Sequence, residues 1–420
     1  MTTLFSSPRS LRPQLSGDKI VKFTIDISVL TGAVLSFPAF MIHLLLDAFS
    51  SYCCCRLIHP LSPRGKLVYR GLEGLEASNR LIDAACQATA LEESTSSSSI
   101  ILSDTIWRVA QNPKHVQQLQ ETAERFPEFG TWIDSPLHLP ESTLGALKLT
   151  NGCRVIHVPS YLQGLWKHCQ EMAHNCQVSL QWNQLPSSEF SSSSDNTSKT
   201  LQSELESFDT VILSAGSAIF QDYLPSPEPE HKDQIHVFPI HLVRGQSIEF
   251  QRQSPSDNEE ENDIPDSSSS SSFSDALLCG KYISPLPGPP GHRVLVGATH
   301  EFQKEAASSE TVLDDMQRAT EFMAPELWQE SGEYRVDRMT LGYRVQSQRG
   351  AHGRLPLIGK LTLPQFLPNH ENTWIYTGLS SRGLLYHALF ADILVDAAWC
   401  KNEALLEEKY PELQWWKKDG

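Results

Sequence analysis

The stretch Asn372–Trp399, NTWIYTGLSSRGLLYHALFADILVDAAW, decides how the rest of the chain is read. Trp374, Ile375 and Tyr376 form a short apolar run broken by Thr377-Gly378, and from Leu384 to Trp399 the apolar spacing is that of a buried helix. Ser380 and Ser381 stand where side-chain caps belong. A strand that feeds a helix through a glycine and small polar residues aims backbone N–H groups and the positive dipole end at one spot. That spot suits an anion or an electron-rich ring edge. Arg382, on the first turn, adds a fixed positive charge.

Two other stretches have the same strand–turn character. Phe208–Ser217, FDTVILSAGS, is an apolar strand ending in Ala215-Gly216-Ser217. Ligands of doubly wound sheets lie at the carboxyl ends of such strands, where small residues let the backbone approach them. Lys19–Leu30, KIVKFTIDISVL, is β-rich, turns at Thr31-Gly32-Ala33 and leads into helical sequence from Ala39 to Phe49. A dinucleotide fingerprint there needs three glycines, and Gly32 is the one present.

Between these lie a helix near Leu72–Gln87, a strand over Ile100–Val109 and an amphipathic helix over Pro113–Arg125. Gly145–Val158 reads as two strands hairpinned at Asn151-Gly152. A helix over Pro159–Asn175 and a strand over Cys176–Trp182 follow. Ile235–Phe250 is strand-rich, Leu277–Ile283 and Arg293–Thr299 pair around a turn at Pro285–Gly291, and Glu310–Ala324 is helical. Residues 187–203 and 254–275 are serine-rich or acidic with no apolar period and read as disordered insertions.

Helix and strand alternate at both ends while strands dominate the middle, so the fold class is α/β. A Rossmann-like domain is assembled from discontinuous segments, 19–90, 145–220 and 335–420. A strand-rich α+β substrate domain takes 91–144 and 221–334.

With 420 residues and 40% hydrophobic content the chain buries a sizeable core. A formal net charge of -16 argues against nucleic acid as a simple electrostatic partner. The nine cysteines show no metal-like C-x-x-C pair, and their odd count fits a reduced intracellular compartment. Residues 1–18 contain no acid before Asp18, which fits an organelle (plastid) transit peptide or a disordered tail. Ile27–Leu46 is nearly apolar but broken by Gly32, Pro38 and His43, so strand–turn–helix in a soluble core is preferred to a membrane span.

Seven pieces in order carry a resemblance: HPLSPRGKLVYRG, GCRVIHVPSYLQGLWKHC, FDTVILSAGS, LVRGQS, KYISPLP with VLVGATHEF, LGYRVQSQRGAHGRLPLIG and IYTGLSSRGLLYHA. From His59 to the C-terminus the chain resembles the FAD-dependent oxidoreductases of the D-amino-acid oxidase type. The nearest branch holds glycine oxidase and the oxidoreductase half of the bacterial enzyme that makes 5-methylaminomethyl-uridine in tRNA. The resemblance implies FAD as cofactor, with Gly378, Ser381, Arg382, Gly383 and Leu384 against the flavin, and Gly32, Ala215, Gly216 and Gly359 completing the cofactor site. It implies that Arg344 meets a substrate carboxylate, that Tyr282 faces the substrate above the ring, and that His300 lies on the cavity side. The implied reaction is hydride transfer from the carbon bearing nitrogen to the flavin, giving an imine that water hydrolyses, with no obligatory protein base.

The chain departs from the family pattern in three places. The glycine fingerprint is reduced to Gly32, the family's Arg-Pro is Arg344-Val345, and the family's Asp before Pro-x-Ile-Gly falls at about Gly353. Three functions therefore stay open: oxidation of a small-molecule amine or amino acid, the oxidative step of tRNA wobble-uridine modification, and a non-catalytic member that no longer holds FAD.

Overall fold

Helix Gly383–Trp399 sets the packing of the domain that contains it. Twelve of its residues are buried, and only a thin stripe through Asp392, Asp396 and Trp399 reaches solvent. A helix apolar nearly all round has to be enclosed on every side.

A computed structural model describes residues 56–90, 99–177, 180, 208–214, 216, 238–253, 273–302, 306–329, 332–361 and 371–417. The expected transit segment, the strand over Lys19–Leu30 with Gly32, the apolar run Ile27–Leu46, Ala215, the serine-rich run 187–203 and most of 254–275 lie outside those residues, as does most of the strand expected over Cys176–Trp182. The elements in chain order are β1 (Leu57–Ile58), α1 (Gly71–Ala90), β2 (Ile101–Ser103), β3 (Ile106–Val109), α2 (Pro113–Arg125), β4 (Gly130–Ile133), β5 (Ala146–Leu149), β6 (Arg154–Ile156) and α3 (Val158–Asn175). There follow β7 (Val211–Leu213), β8 (Ile240–Arg252), β9 (Ala276–Cys279), β10 (Lys281–Pro285), β11 (Arg293–Gly297) and α4 (Ser309–Thr320). Last come β12 (Tyr334–Ser347), β13 (Arg349–Gly350), β14 (Gly353–Arg354), β15 (Leu357–Lys360), β16 (Thr373–Thr377), α5 (Gly383–Trp399) and α6 (Ala404–Lys409).

The Rossmann-like body holds two three-stranded sheets, β1-β6-β2 and β15-β16-β7, with α1, α3 and α5 packed into one core around Ile58, Ile82, Tyr161, Trp374 and Phe390. β7 and β16 run parallel, Val211 opposite Thr373 and Leu213 opposite Ile375. Each large apolar side chain sealed in this core contributes about 1.5–3 kcal/mol of burial. Among the described residues no helix is long and apolar enough to cross a membrane.

The second unit is an eight-stranded sheet in the order β12-β8-β11-β10-β9-β3-β5-β4. Alternation along its strands divides the side chains between two faces. One face, with Ile248, Phe250, Ile283, Val294 and Val296, packs on Val312 and Met316 of α4. The other, with Ile106, Leu147, Tyr282 and Leu295, packs on Leu57, Leu61 and Val155 of the body and Leu119 of α2.

Several expectations are corrected here. Asn151 and Gly152 do turn the chain, with φ of 50° and 93°, but the flanking strands do not pair with each other. β5 joins β3 and β4, while β6, with Val155 and Ile156 fully buried, is the middle strand between β1 and β2. The unit boundary therefore falls within 145–158 rather than at 145. β12 likewise belongs to the large sheet through its long ladder with β8, not to the body segment 335–420. The insertion expected over 254–275 ends earlier: Phe273 is buried in the sheet's core, and the Asp275 carboxylate accepts from Ser103 Oγ (2.7 Å) and Trp107 Nε1 (3.0 Å). Gly280 splits the single strand expected over Leu277–Ile283 into β9 and β10.

Close helix crossings depend on glycine. A Cβ on Gly74 of α1 would lie 2.7 Å from the Leu385 carbonyl of α5, where Ser78 Oγ also donates (3.1 Å). A Cβ on Gly164 of α3 would lie 2.7 Å from the Ala85 carbonyl. Gly→Ala at an exposed helix position gains up to about 1 kcal/mol. At Gly74 the sign reverses: Gly74→Ala is expected to lower stability by about 1–3 kcal/mol through overpacking. Urea midpoints of the two proteins check this.

Candidate active site

The turn between β16 and α5 is built from unusual backbone. Gly378 has φ of +74°, and a side chain there would meet Leu357 Cδ1 at 3.1 Å. Ser380–Arg382 then form one 3-10 turn, with Ser380 at φ 56°. The expected serine caps are not made. Leu379 bridges to Gln346 at the end of β12, and Ser380 Oγ accepts from Gln346 Nε2 (3.2 Å). α5 therefore starts with no side-chain cap, and its first turn presents the positive end of the helix dipole. At Gly383 an added Cβ meets nothing within 4 Å, so the helix opens onto clear space.

Gly216 reaches the same end of the sheet. It follows Leu213 as Gly378 follows Ile375, each by three residues, and Leu213 lies opposite Ile375. Its φ of 51° turns the chain away at the carboxyl end of β7.

The large sheet contributes Arg344. The ladder puts Arg344 opposite Val243, on the face that carries Ser247, Gly297 and Tyr282. Arg344 is two residues from Gln346 on the same side of β12, one alternation from the residue that holds the α5 turn. Its Nη2 donates to the Thr299 carbonyl (3.0 Å), which brings it beside His300. His300 is exposed and meets Phe302 edge to face at 4.9 Å. Partial desolvation of its ring, then the positive charges of Arg344, Arg354 and Lys281, lower its pKa.

Tyr282 shares that face but sits in the row of Gly297, Ser247 and Thr340, four residues along β12 from Arg344. It is buried, with its hydroxyl 3.3 Å from Ser247 Oγ. The protein itself fills the space a side chain would take at Gly359. Its φ is +152°, and a Cβ there would meet Glu403 Oε1 at 2.8 Å, with Trp416 and Lys417 at 3.3 Å. The C-terminal segment fills that side, and Trp415 and Trp416 donate to the Pro356 and Ile358 carbonyls (3.3 Å each) along the outer edge of β15.

Sequence reasoning missed His59 and Arg108. Arg108 points from β3 toward the body and donates to the Ser62 and Pro63 carbonyls (2.6 and 2.8 Å), pinning the HPLSPRG loop. His59 Nδ1 accepts from the Leu61 N–H (3.3 Å), so its proton sits on Nε2. Burial, then Arg108 and Arg382, push its pKa down to about 3. His59 thus feels the charges of a sheet arginine and of the arginine of the helix turn. The signal was an arginine inside the otherwise apolar strand IWRV.

Residues 56–397 match the DAO family, described as FAD dependent oxidoreductase. The chain belongs to that family. A comparison with curated proteins returned no match. Among solved structures it shares its fold with glycine oxidase from Geobacillus kaustophilus (TM-score 0.55, 14% identity, 84% of this chain and 85% of that chain). It also shares it with L-proline dehydrogenase from P. horikoshii (TM-score 0.56, 9% identity, 93% and 90%) and iminodiacetate oxidase from Chelativorans sp. BNC1 (TM-score 0.51, 13% identity, 83% and 87%).

FAD is the cofactor of this family member. The described residues fit the flavin end of it: an uncapped helix start, open space at Gly383, Arg382 on the same turn and Gly216 beside it. Gly32 and Ala215 lie outside the described residues.

Deeper in the body, Tyr161 OH donates to His387 Nε2 (2.6 Å), while His387 Nδ1–H donates to the Leu384 carbonyl (2.9 Å). Burial lowers the His387 pKa from 6.5 to about 4. The unfolded chain binds this proton below pH 6.5 and the folded chain only near 4, so stability is unaffected above 6.5 and is lost as pH falls between the two. This histidine alone is expected to lower unfolding free energy by about 2 kcal/mol between pH 7.5 and 5. Urea titrations across that range check it; a flat profile would contradict it.

Proposed function

We propose that the chain oxidises a C–N bond of an amino acid or carboxylate-bearing secondary amine. The observation that carries this reading is Arg344, which is held to the Thr299 carbonyl on the sheet face turned to the body, one alternation from the residue that fixes the α5 turn. A guanidinium has five N–H donors in a planar fork, and with one directed at Thr299 the others suit a two-point carboxylate contact. The names of the glycine and iminodiacetate oxidases that share the fold support the same class.

FAD, when bound, supplies the two-electron acceptor for the hydrogen on the carbon bearing nitrogen. The chain's own residues do the rest. Arg344 fixes the carboxylate and so sets which C–H is presented. The open N-terminus of α5 and Arg382 place positive potential where negative charge arrives during the transfer. His300, kept neutral beside Arg344, does not compete for the carboxylate. Tyr282 and Ser247 close the sheet side against water.

The test is anaerobic mixing of the flavin-loaded protein with glycine, sarcosine, proline and their decarboxylated analogues. Bleaching of the flavin band by the amino acids and not by the analogues is expected. Arg344→Gln should raise KM for the amino acids by about 10- to 100-fold, the loss of a hydrogen bond to a charged group. Equal reduction by both series would overturn the reading.

A further inference from the structure

We propose that Arg354 is a second anion-recognising residue of this site and that the substrate carries a second acidic group, a carboxylate beyond the one held by Arg344. The inference rests on the amine-oxidation reading and narrows its substrate class to dicarboxylic amino acids and N-carboxyalkyl amines.

The chain turns back after β12 through the β13–β14 hairpin, with Arg349 opposite Arg354 and Gly353 at φ 87°. Arg354 Nη1 then donates to the Ser347 carbonyl, three residues along β12 from Arg344, roughly 10 Å of strand. Between the two sit Gln346, which holds the α5 turn, and Ser347 itself. His352 at the hairpin tip packs edge to face on Tyr69 of the body at 5.5 Å, so the hairpin is anchored at both ends. Arg354 is thus half-buried and held at the end of the strand that carries Arg344.

Charge around the rim is unbalanced. The neighbouring acids have other partners: Glu301 accepts from Thr299 Oγ1, Gln246 Nε2 (3.0 Å) and the Ala307 N–H (3.2 Å) and faces Arg244. Asp315 is bound to Lys281 (2.7 Å). Among the described residues no carboxylate pairs with Arg344 or Arg354. Gly353, which precedes Arg354, has no charge to neutralise it. Two guanidiniums, one held at the Thr299 carbonyl and one at the Ser347 carbonyl, favour a ligand with two anionic ends over one with a single end. Desolvation first, then the positive charges of Arg344, Arg354 and Lys281, lower the pKa of His300.

The experiment is titration calorimetry of the full-length protein with acetate, malonate, succinate and glutarate, none of which is an amine. At least one dicarboxylate is expected to bind at least about tenfold tighter than acetate, the scale of one charge-assisted contact. Arg354→Gln is expected to collapse that preference towards unity, Arg354→Lys to restore part of it, and Arg344→Gln to weaken every ligand. Circular dichroism confirms that each variant is folded. Equal binding of acetate and all dicarboxylates, or an Arg354→Gln loss that scales acetate and dicarboxylates alike, overturns the proposal. Flavin reduction by glycine or sarcosine without dicarboxylate preference leaves the oxidation reading standing and removes this one. Dicarboxylate preference with no flavin reduction by any amine does the reverse.

Discussion

The body of this protein depends on one constraint: α5 has almost no polar surface and must be enclosed. α1 closes one side, approaching so near that Gly74 faces the Leu385 carbonyl directly. α3 closes another through the buried Tyr161–His387 hydrogen bond. β16 closes a third, with Tyr376 OH bonded to the Tyr386 and His387 carbonyls (3.0 Å each). Enclosure along its length leaves the N-terminal end as the place where the helix meets open space. The same burial that stabilises the fold therefore creates a positively polarised surface at one defined point.

That point is held by the other unit. Gln346 at the end of β12 takes Leu379 in a backbone bridge and Ser380 in a side-chain hydrogen bond. Arg108 of β3 holds the loop that follows His59. Both sheet residues reach across the junction, so the helix end, the loop and Arg344 keep a fixed relation. This is how a family with cofactor-borne chemistry uses its protein: positioning and electrostatics come from the junction between the units.

Much of this was legible in the sequence where the determinants are local. α2 and α5 were placed within a residue because their apolar spacing and first-turn residues are local signals, and the Asn151-Gly152 turn was found because its backbone needs are local too. What failed depended on partners far along the chain. Ser380 is not a cap because Gln346, distant in sequence, takes its hydroxyl. The need for glycine at 359 comes from packing that the sequence does not show, because Glu403, Trp416 and Lys417 fill the space a Cβ would take. β5 and β6 do not form a hairpin because each finds better-buried neighbours in a different sheet. His59 was passed over because its setting is made by burial and by the distant Arg108 and Arg382. The resemblance put Arg344 on a substrate carboxylate and His300 on the cavity side, and it is the Arg344 bond to the Thr299 carbonyl that brings the two side by side.

The central claim is that the open end of α5 at Gly383 receives the flavin. It is tested most directly by FAD titration of the wild-type chain and of Gly383→Leu, followed by flavin fluorescence and by unfolding midpoints. An added Cβ at Gly383 meets no protein atom within 4 Å, so Gly383→Leu should fold with stability close to wild type. The same side chain would occupy the space assigned to the cofactor, so the account predicts tight FAD binding by the wild type and a loss of at least about tenfold in the variant, the scale of overpacking by a buried side chain. Equal FAD affinity of the two proteins, or no FAD binding by the folded wild type, would contradict it.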